Sequence, residues 1–143
     1  YQIASLISHD EIEWLRQAPE RMGKFLTLEF LVDGDVVGLT VSRLFDFGYL
    51  QQGNILQVQT SRVSMDMYRW MIEETTNQLA AAGASSVRCR TSCVIMADAL
   101  KELRFRKRNT LQTVWWSREH EAPQGPALLS RYRADDGIQP FPD

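Results

Sequence analysis

The stretch TSRVSMDMYRWMIEETTNQLAAAG, residues 60–83, sets the end of a strand directly before a long amphipathic run. A helix start of this kind offers unbonded backbone N–H groups and positive potential, the requirements of a phosphate or other anion site. Ser64 is placed to cap the helix, and Asp66 falls in its first turn. Arg62 supplies a cation just upstream. Such loops are usually glycine-rich, so that the backbone can come close to the anion. Here no glycine occurs between Asn54 and Gly83. Met65 brings bulk to the loop, and Asp66 brings a negative charge. A like-charge pair at about 4 Å costs on the order of 4 kcal/mol at an effective dielectric near 20. One helix terminus returns less than about 2 kcal/mol. Met65 and Met67 also read as ordinary packing beside a helix start.

Other residues carry chemistry of a weaker kind. Cys93 follows a strand and opens a helix, where a thiol pKa can fall, but no histidine lies near it in sequence. Ser92 reads as that helix's N-cap. Cys89 sits in an alternating run and reads as a small buried hydrophobe. Glu29 is a conceivable general base, although strand alternation puts it on the polar face. Gln57 and Gln59 can orient an amine or a water but cannot accept a proton at neutral pH. The two histidines, His9 and His120, lie far apart and neither is near a cysteine, so a metal site has no support. RFRKR, residues 104–108, lacks stacking groups beyond Phe105, which argues against nucleic acid. Trp115 and Trp116 point to opposite faces of a strand, one towards a core and one towards a partner.

The elements that hold these residues follow from pattern. Ser8 and Glu11 form a capping box for a helix over 8–18, closed by Pro19. Phe25 to Val32 and Val36 to Phe45 read as a hairpin around Asp33-Gly34. Gly38 predicts a bulge or a close backbone approach. After a connection at 46–53, NILQVQTS is a central strand with apolar groups on both faces. The helix from Ser64 buries Tyr68, Met71, Ile72, Thr75, Leu79 and Ala82 and ends at Gly83. SSVRCRTS is the next strand, with Val87, Cys89 and Thr91 on one face. A second helix follows, with Val94, Ala97, Leu100 and Leu103 as its apolar face. TLQTVWWS is a closing strand. The tail from Arg118 is polar and docks through Leu128, Leu129 and Phe141.

The 143 residues suit one domain, and 44% hydrophobic content is enough for a core. No apolar run is long enough to span a membrane, and a cytoplasmic protein is expected. The first residue is Tyr1, which reads as a fragment or processed product of a larger protein. Net charge is −2. Residues 1–87 are acidic, with 6 basic and 11 acidic side chains, whereas residues 88–108 carry 7 and 2. The basic stretch reads as a solvated face or as a contact for an anionic ligand.

The element order, with VDGDVVGLTVSRL, QLAAAGASSVRCRTS and ALKELRFRKRNT, resembles the GNAT acyl-CoA N-acyltransferase superfamily over about residues 25–117. The resemblance implies an α/β (α+β) fold with a mixed, mostly antiparallel central sheet flanked by helices, occupying residues 1–117, with 118–143 as a tail. It implies acetyl-CoA or another acyl-CoA as co-substrate and transfer of the acyl group to an amine. Cofactor contacts then fall to Val58 and Thr60 at the strand end and to Arg62, Val63, Ser64, Met65, Asp66 and Met67 in the loop. Three positions depart from the family pattern. Leu100 stands where a tyrosine often protonates the leaving thiolate, Arg104 where a glycine precedes Phe105, and Cys93 where an asparagine often begins the helix. The catalytic residues are therefore left unassigned and the CoA loop is read as altered or degraded. The alternative is a non-catalytic module of the same fold that packs against a second GNAT-like domain or a protein partner.

Overall fold

The computed structural model describes residues 3–4, 8–17, 23–107 and 127–128. Its elements run β1 (Ile3–Ala4), α1 (His9–Arg16), β2 (Lys24–Val32), β3 (Asp35–Asp46), β4 (Gln51–Thr60), α2 (Met65–Ala81), β5 (Ser86–Cys89), α3 (Val94–Glu102) and β6 (Ala127–Leu128). Four strands form one sheet in the order β2-β3-β4-β5. β2, β3 and β4 pair antiparallel, and β4 pairs parallel with β5 across α2. β1 and β6 pair parallel in a separate two-stranded sheet. This is the mixed, mostly antiparallel α+β architecture expected.

The hairpin turn uses Asp33 at φ 54° and Gly34 at φ 88°. Both central residues are thus left-handed, as a two-residue turn matching strand twist requires. Helix α1 carries both halves of its capping box: Glu11 N donates to Ser8 Oγ, and Ser8 N donates to the Glu11 carboxylate at 2.8 Å. It ends at Arg16 with Gln17 as its C-cap, short of the expected end at residue 18; residue 18 itself lies outside the described residues, as do Pro19, the closing strand TLQTVWWS with its two tryptophans, His120, Leu129 and Phe141.

Two cores lie on opposite faces of the sheet. The larger joins Phe30, Ile55 and Val58 of the strands to Tyr68, Met71, Ile72 and Leu79 of α2 and to Met96, Ala99 and Leu100 of α3. The smaller joins Ile12 and Leu15 of α1 to Val41 and Leu56. Helix α2 comes very close to the sheet. A Cβ on Gly38 would lie 2.7 Å from Met71 Cε, and one on Gly53 would lie 2.9 Å from Leu79 Cδ1. Between these two points Thr75 Oγ1 donates to Met71 O at 2.7 Å, which leaves Thr40 as the donor in the buried 2.8 Å contact between the two threonine hydroxyls.

Several expectations are corrected. β4 begins at Gln51, three residues earlier than its apolar pattern suggests, because Gln52 and Asn54 are buried polar residues. With its amide oxygen turned to Arg88, Gln52 accepts from Nε at 2.7 Å. β5 ends at Cys89, so Arg90 and Thr91 are not strand. Helix α3 is capped by Cys93, not Ser92, and the Cys93 side chain makes no capping bond to the helix. Its buried residues are Met96, Ala99 and Leu100, while Val94 is 74% exposed. The first turn of α3 stands beyond the end of β5, so Val94 has no sheet beneath it.

Candidate functional site

The β3–β4 end of the sheet is shaped by two irregularities. In the β2–β3 ladder Phe30 opposes Gly38 and Leu31 opposes Val36, so Val37 is an extra residue, a bulge beside the expected Gly38. In the β3–β4 ladder Val41 opposes Gln57 and Ser42 opposes Ile55, so Leu56 is extra in β4. β5 meets β4 only over Gln52–Ile55. From Leu56 to Thr60, β4 therefore runs on past the end of β5 and leads into the loop before α2.

The loop from Thr60 to Met67 is held through the Val37 carbonyl. That oxygen accepts from Ser61 N at 3.1 Å and from Thr60 Oγ1 at 2.8 Å. Thr60 Oγ1 in turn accepts from Arg62 N at 3.0 Å. Ser64 is the N-cap of α2, and its Oγ accepts from Met67 N at 3.1 Å. The next helical bond runs from Tyr68 N to Ser64 O. The N–H groups of Val63, Ser64, Met65 and Asp66 make no hydrogen bond among the described residues. These four donors, with the dipole of a 17-residue helix behind them, form the anion-receptive end of the site.

The side chains named from sequence fall into three groups. Val58 and Met67 are buried in the larger core and Met65 packs against it, so both methionines are packing residues. Thr60 and Ser64 are engaged in the loop's own hydrogen bonds. Arg62 and Val63 are exposed, and Asp66 is 90% exposed. The Asp66 carboxylate lies 3.9 Å from Arg69 Nη2, and Arg69 Nη1 reaches Glu102 of α3 at 3.2 Å. Arg69 thus ties the first turn of α2 to the end of α3 and partly offsets the Asp66 charge.

The residues weighed for proton transfer are less well served. Leu100 is buried in the core, and no tyrosine stands on α3. The tyrosines among the described residues are Tyr68, buried under α2, and Tyr49, exposed on the turn before β4. Gln57 is 2% exposed on the α1 side of the sheet. Glu29 is exposed, as alternation predicts, two strands from β4. Cys93 is buried beneath α3, and its N–H donates to Thr91 Oγ1 at 2.9 Å. Cys89 is half-buried, and burial pushes its thiol up to about 12. It is a proton-retaining thiol and not a nucleophile. No group of three or more His, Cys, Asp or Glu residues that could hold a metal occurs among the described residues, and no helix among them is long and apolar enough to cross a membrane.

Two features were not legible in advance. Val37 anchors the loop, and the only sequence sign of it is the glycine that follows. Val94 and Ile95 are exposed at the start of α3. Their position depends on β5 stopping at Cys89, which no local pattern marks.

No protein-family model matches the sequence, and no curated protein matches it. Solved structures do resemble it. A point-mutant form of the protein TTHA1254 from Thermus thermophilus superposes with a TM-score of 0.58 at 11% identity, over 80% of this chain and 83% of that one. An aminoglycoside acetyltransferase, meta-AAC0020, from an uncultured soil metagenomic sample and in complex with sisomicin, gives 0.54 at 14% identity, over 79% and 76%. A probable acetyltransferase gives 0.56 at 10% identity, over 78% and 79%. Likeness at such identities is likeness of fold. The chain has an α+β, GNAT-like fold.

Proposed function

We propose that this domain binds an acyl-CoA along the part of β4 that β5 does not reach and is an N-acyltransferase whose diphosphate loop is altered. The observation that carries the reading is the meeting of two features at one place. β4 outruns β5 from Leu56 onward, and the α2 start beside it presents four unbonded N–H groups, Val63 to Asp66. A diphosphate on those donors, with Arg62 alongside, leaves the pantetheine arm to run beside β4. Both methionines of the loop turn to the core, so its outer side keeps room for the anion.

Acyl transfer in this setting rests on positioning and backbone polarisation. An amine nitrogen bonds to the thioester carbonyl carbon, the C–S bond breaks, and a β4 backbone N–H stabilises charge on the carbonyl oxygen. The amine proton passes to solvent, and the thiolate takes its proton from solvent, since Leu100 has none to give. The one loop group working against binding is the Asp66 carboxylate.

Calorimetric titration with acetyl-CoA and longer acyl-CoAs tests the reading. Saturable binding is expected, and Asp66→Asn should tighten it about two- to fivefold, the scale of one exposed charge. Absence of saturable heat with both the native chain and Asp66→Asn would overturn it. Leu100 at the proton donor's place favours a second reading, a non-catalytic module of the same fold that completes a partner's cleft. Binding of CoA without turnover of any amine would select that reading.

A further inference from the structure

We infer that Thr60 is a positioning residue: its hydroxyl, locked between the Val37 bulge and the Arg62 amide, sets the direction of the loop N–H groups and does not itself touch the ligand. The inference rests on the proposed acyl-CoA site and assigns Thr60 a role within it.

A threonine hydroxyl has one proton to give and two lone pairs. The proton has two possible acceptors, Val37 O at 2.8 Å and Arg62 O at 3.4 Å. The shorter path takes it, so nothing is left for a bound phosphate. One lone pair accepts from Arg62 N at 3.0 Å. Thr60 therefore bridges the bulged residue of β3 to the second residue of the loop. Ser61 adds its own N–H to the same carbonyl at 3.1 Å. The next N–H groups along the chain, from Val63 to Asp66, are those without a partner among the described residues. The orientation of peptide planes is passed along a chain with only two soft dihedrals per residue. Fixing the Ser61 and Arg62 amides thus constrains where the Val63 amide points. Without glycine, this loop cannot adapt its backbone freely to an anion. The bridge supplies by pre-organisation what glycine supplies elsewhere by freedom.

Three chains separate this role from the alternatives: the native one, Thr60→Val, which keeps the shape and removes the hydroxyl, and Thr60→Ser, which keeps the hydroxyl. Two measurements are made on each, the Kd for coenzyme A and the amide resonances of Arg62 to Asp66 in a heteronuclear NMR spectrum. Thr60→Val should raise the Kd about tenfold, the scale of one lost hydrogen-bond pair. It should also displace the Val63 to Asp66 resonances and leave those of Ala97 to Glu102 in place. Thr60→Ser should restore both readings to near native. A merely structural threonine would lower Tm without this selective displacement. Native-like loop resonances in Thr60→Val, or a Thr60→Ser chain that behaves like Thr60→Val, would overturn the inference. If coenzyme A fails to bind even the native chain, the acyl-CoA reading falls, and the resonances alone decide whether Thr60 orients the loop.

Discussion

Arg104 holds the backbone at φ +63° just past the last turn of α3, where Phe105 N bonds Leu100 O and Arg104 N bonds Lys101 O. This is a left-handed helix stop of the kind that favours glycine. A side chain there is strained by about 1 kcal/mol. Arg104→Gly should therefore stabilise the domain by about 1 kcal/mol, read as a rise in the denaturant midpoint at unchanged slope. The backbone at Arg104 thus has the shape that a glycine would take without strain. Cys89 makes a second prediction. Burial raises its pKa from 9.0 to about 12 in the folded state. The unfolded chain then releases its proton first as pH rises. Between about pH 9 and 12 the folded form binds more protons, so this residue's contribution to stability is present below 9 and lost as pH approaches 12. Replacing Cys89 with alanine should flatten the fall of stability with pH in that window. Alkylation of Cys89 at pH 8 should be slow in the folded protein and fast in denaturant.

Among the elements, α2 and the bulged strand β3 are the pair on which the site depends. Gly38 and Gly53 both lie under α2, but their neighbours differ in give. At Gly38 a Cβ meets the thioether end of Met71, which can swing aside. At Gly53 it meets Leu79 Cδ1, Cδ2 and Cβ within 3.3 Å. Gly53→Ala should cost about 1–3 kcal/mol and Gly38→Ala clearly less, measured by thermal or denaturant unfolding. The hairpin, its turn, α1 with its capping box and α2 with its Ser64 cap were all legible in the sequence, because turn residues, caps and a clear 3.6-residue period are local signals. So were the close approach at Gly38 and the loop between β4 and α2. What was hidden is non-local. The start of β4 is concealed because Gln51, Gln52 and Gly53 look like a connection until Arg88 of a different strand satisfies Gln52. The buried face of α3 is shifted because its phase depends on where β5 stops. The extra residue Leu56 leaves no mark on alternation that could be told from a strand apolar on both faces.

At the scale of the whole molecule, the sheet is covered unequally. Among the described residues, two helices and the larger core lie on one face, and α1 with a four-residue core on the other. Leu15 is fully buried in that small core against Val41 and the extra residue Leu56. Leu15→Ala should cost about 2–5 kcal/mol. Hydrogen exchange should then rise in α1 and around Leu56 before it rises in α2, because the larger core is untouched. The lateral attachments are unequal too. Helix α2 rests on β3 and β4 at two bearing points, Met71 on Gly38 and Leu79 on Gly53, where the strand contributes no side chain, and a buried hydroxyl pair sits between them. It is a fixed beam. β5 is joined to β4 over four residues, while α3 is held against α2 through Met96, Ala99 and Leu100 in the larger core, with Arg69–Glu102 as an exposed latch. That edge is therefore kept in place as much by the helix core it shares with the beam as by strand pairing.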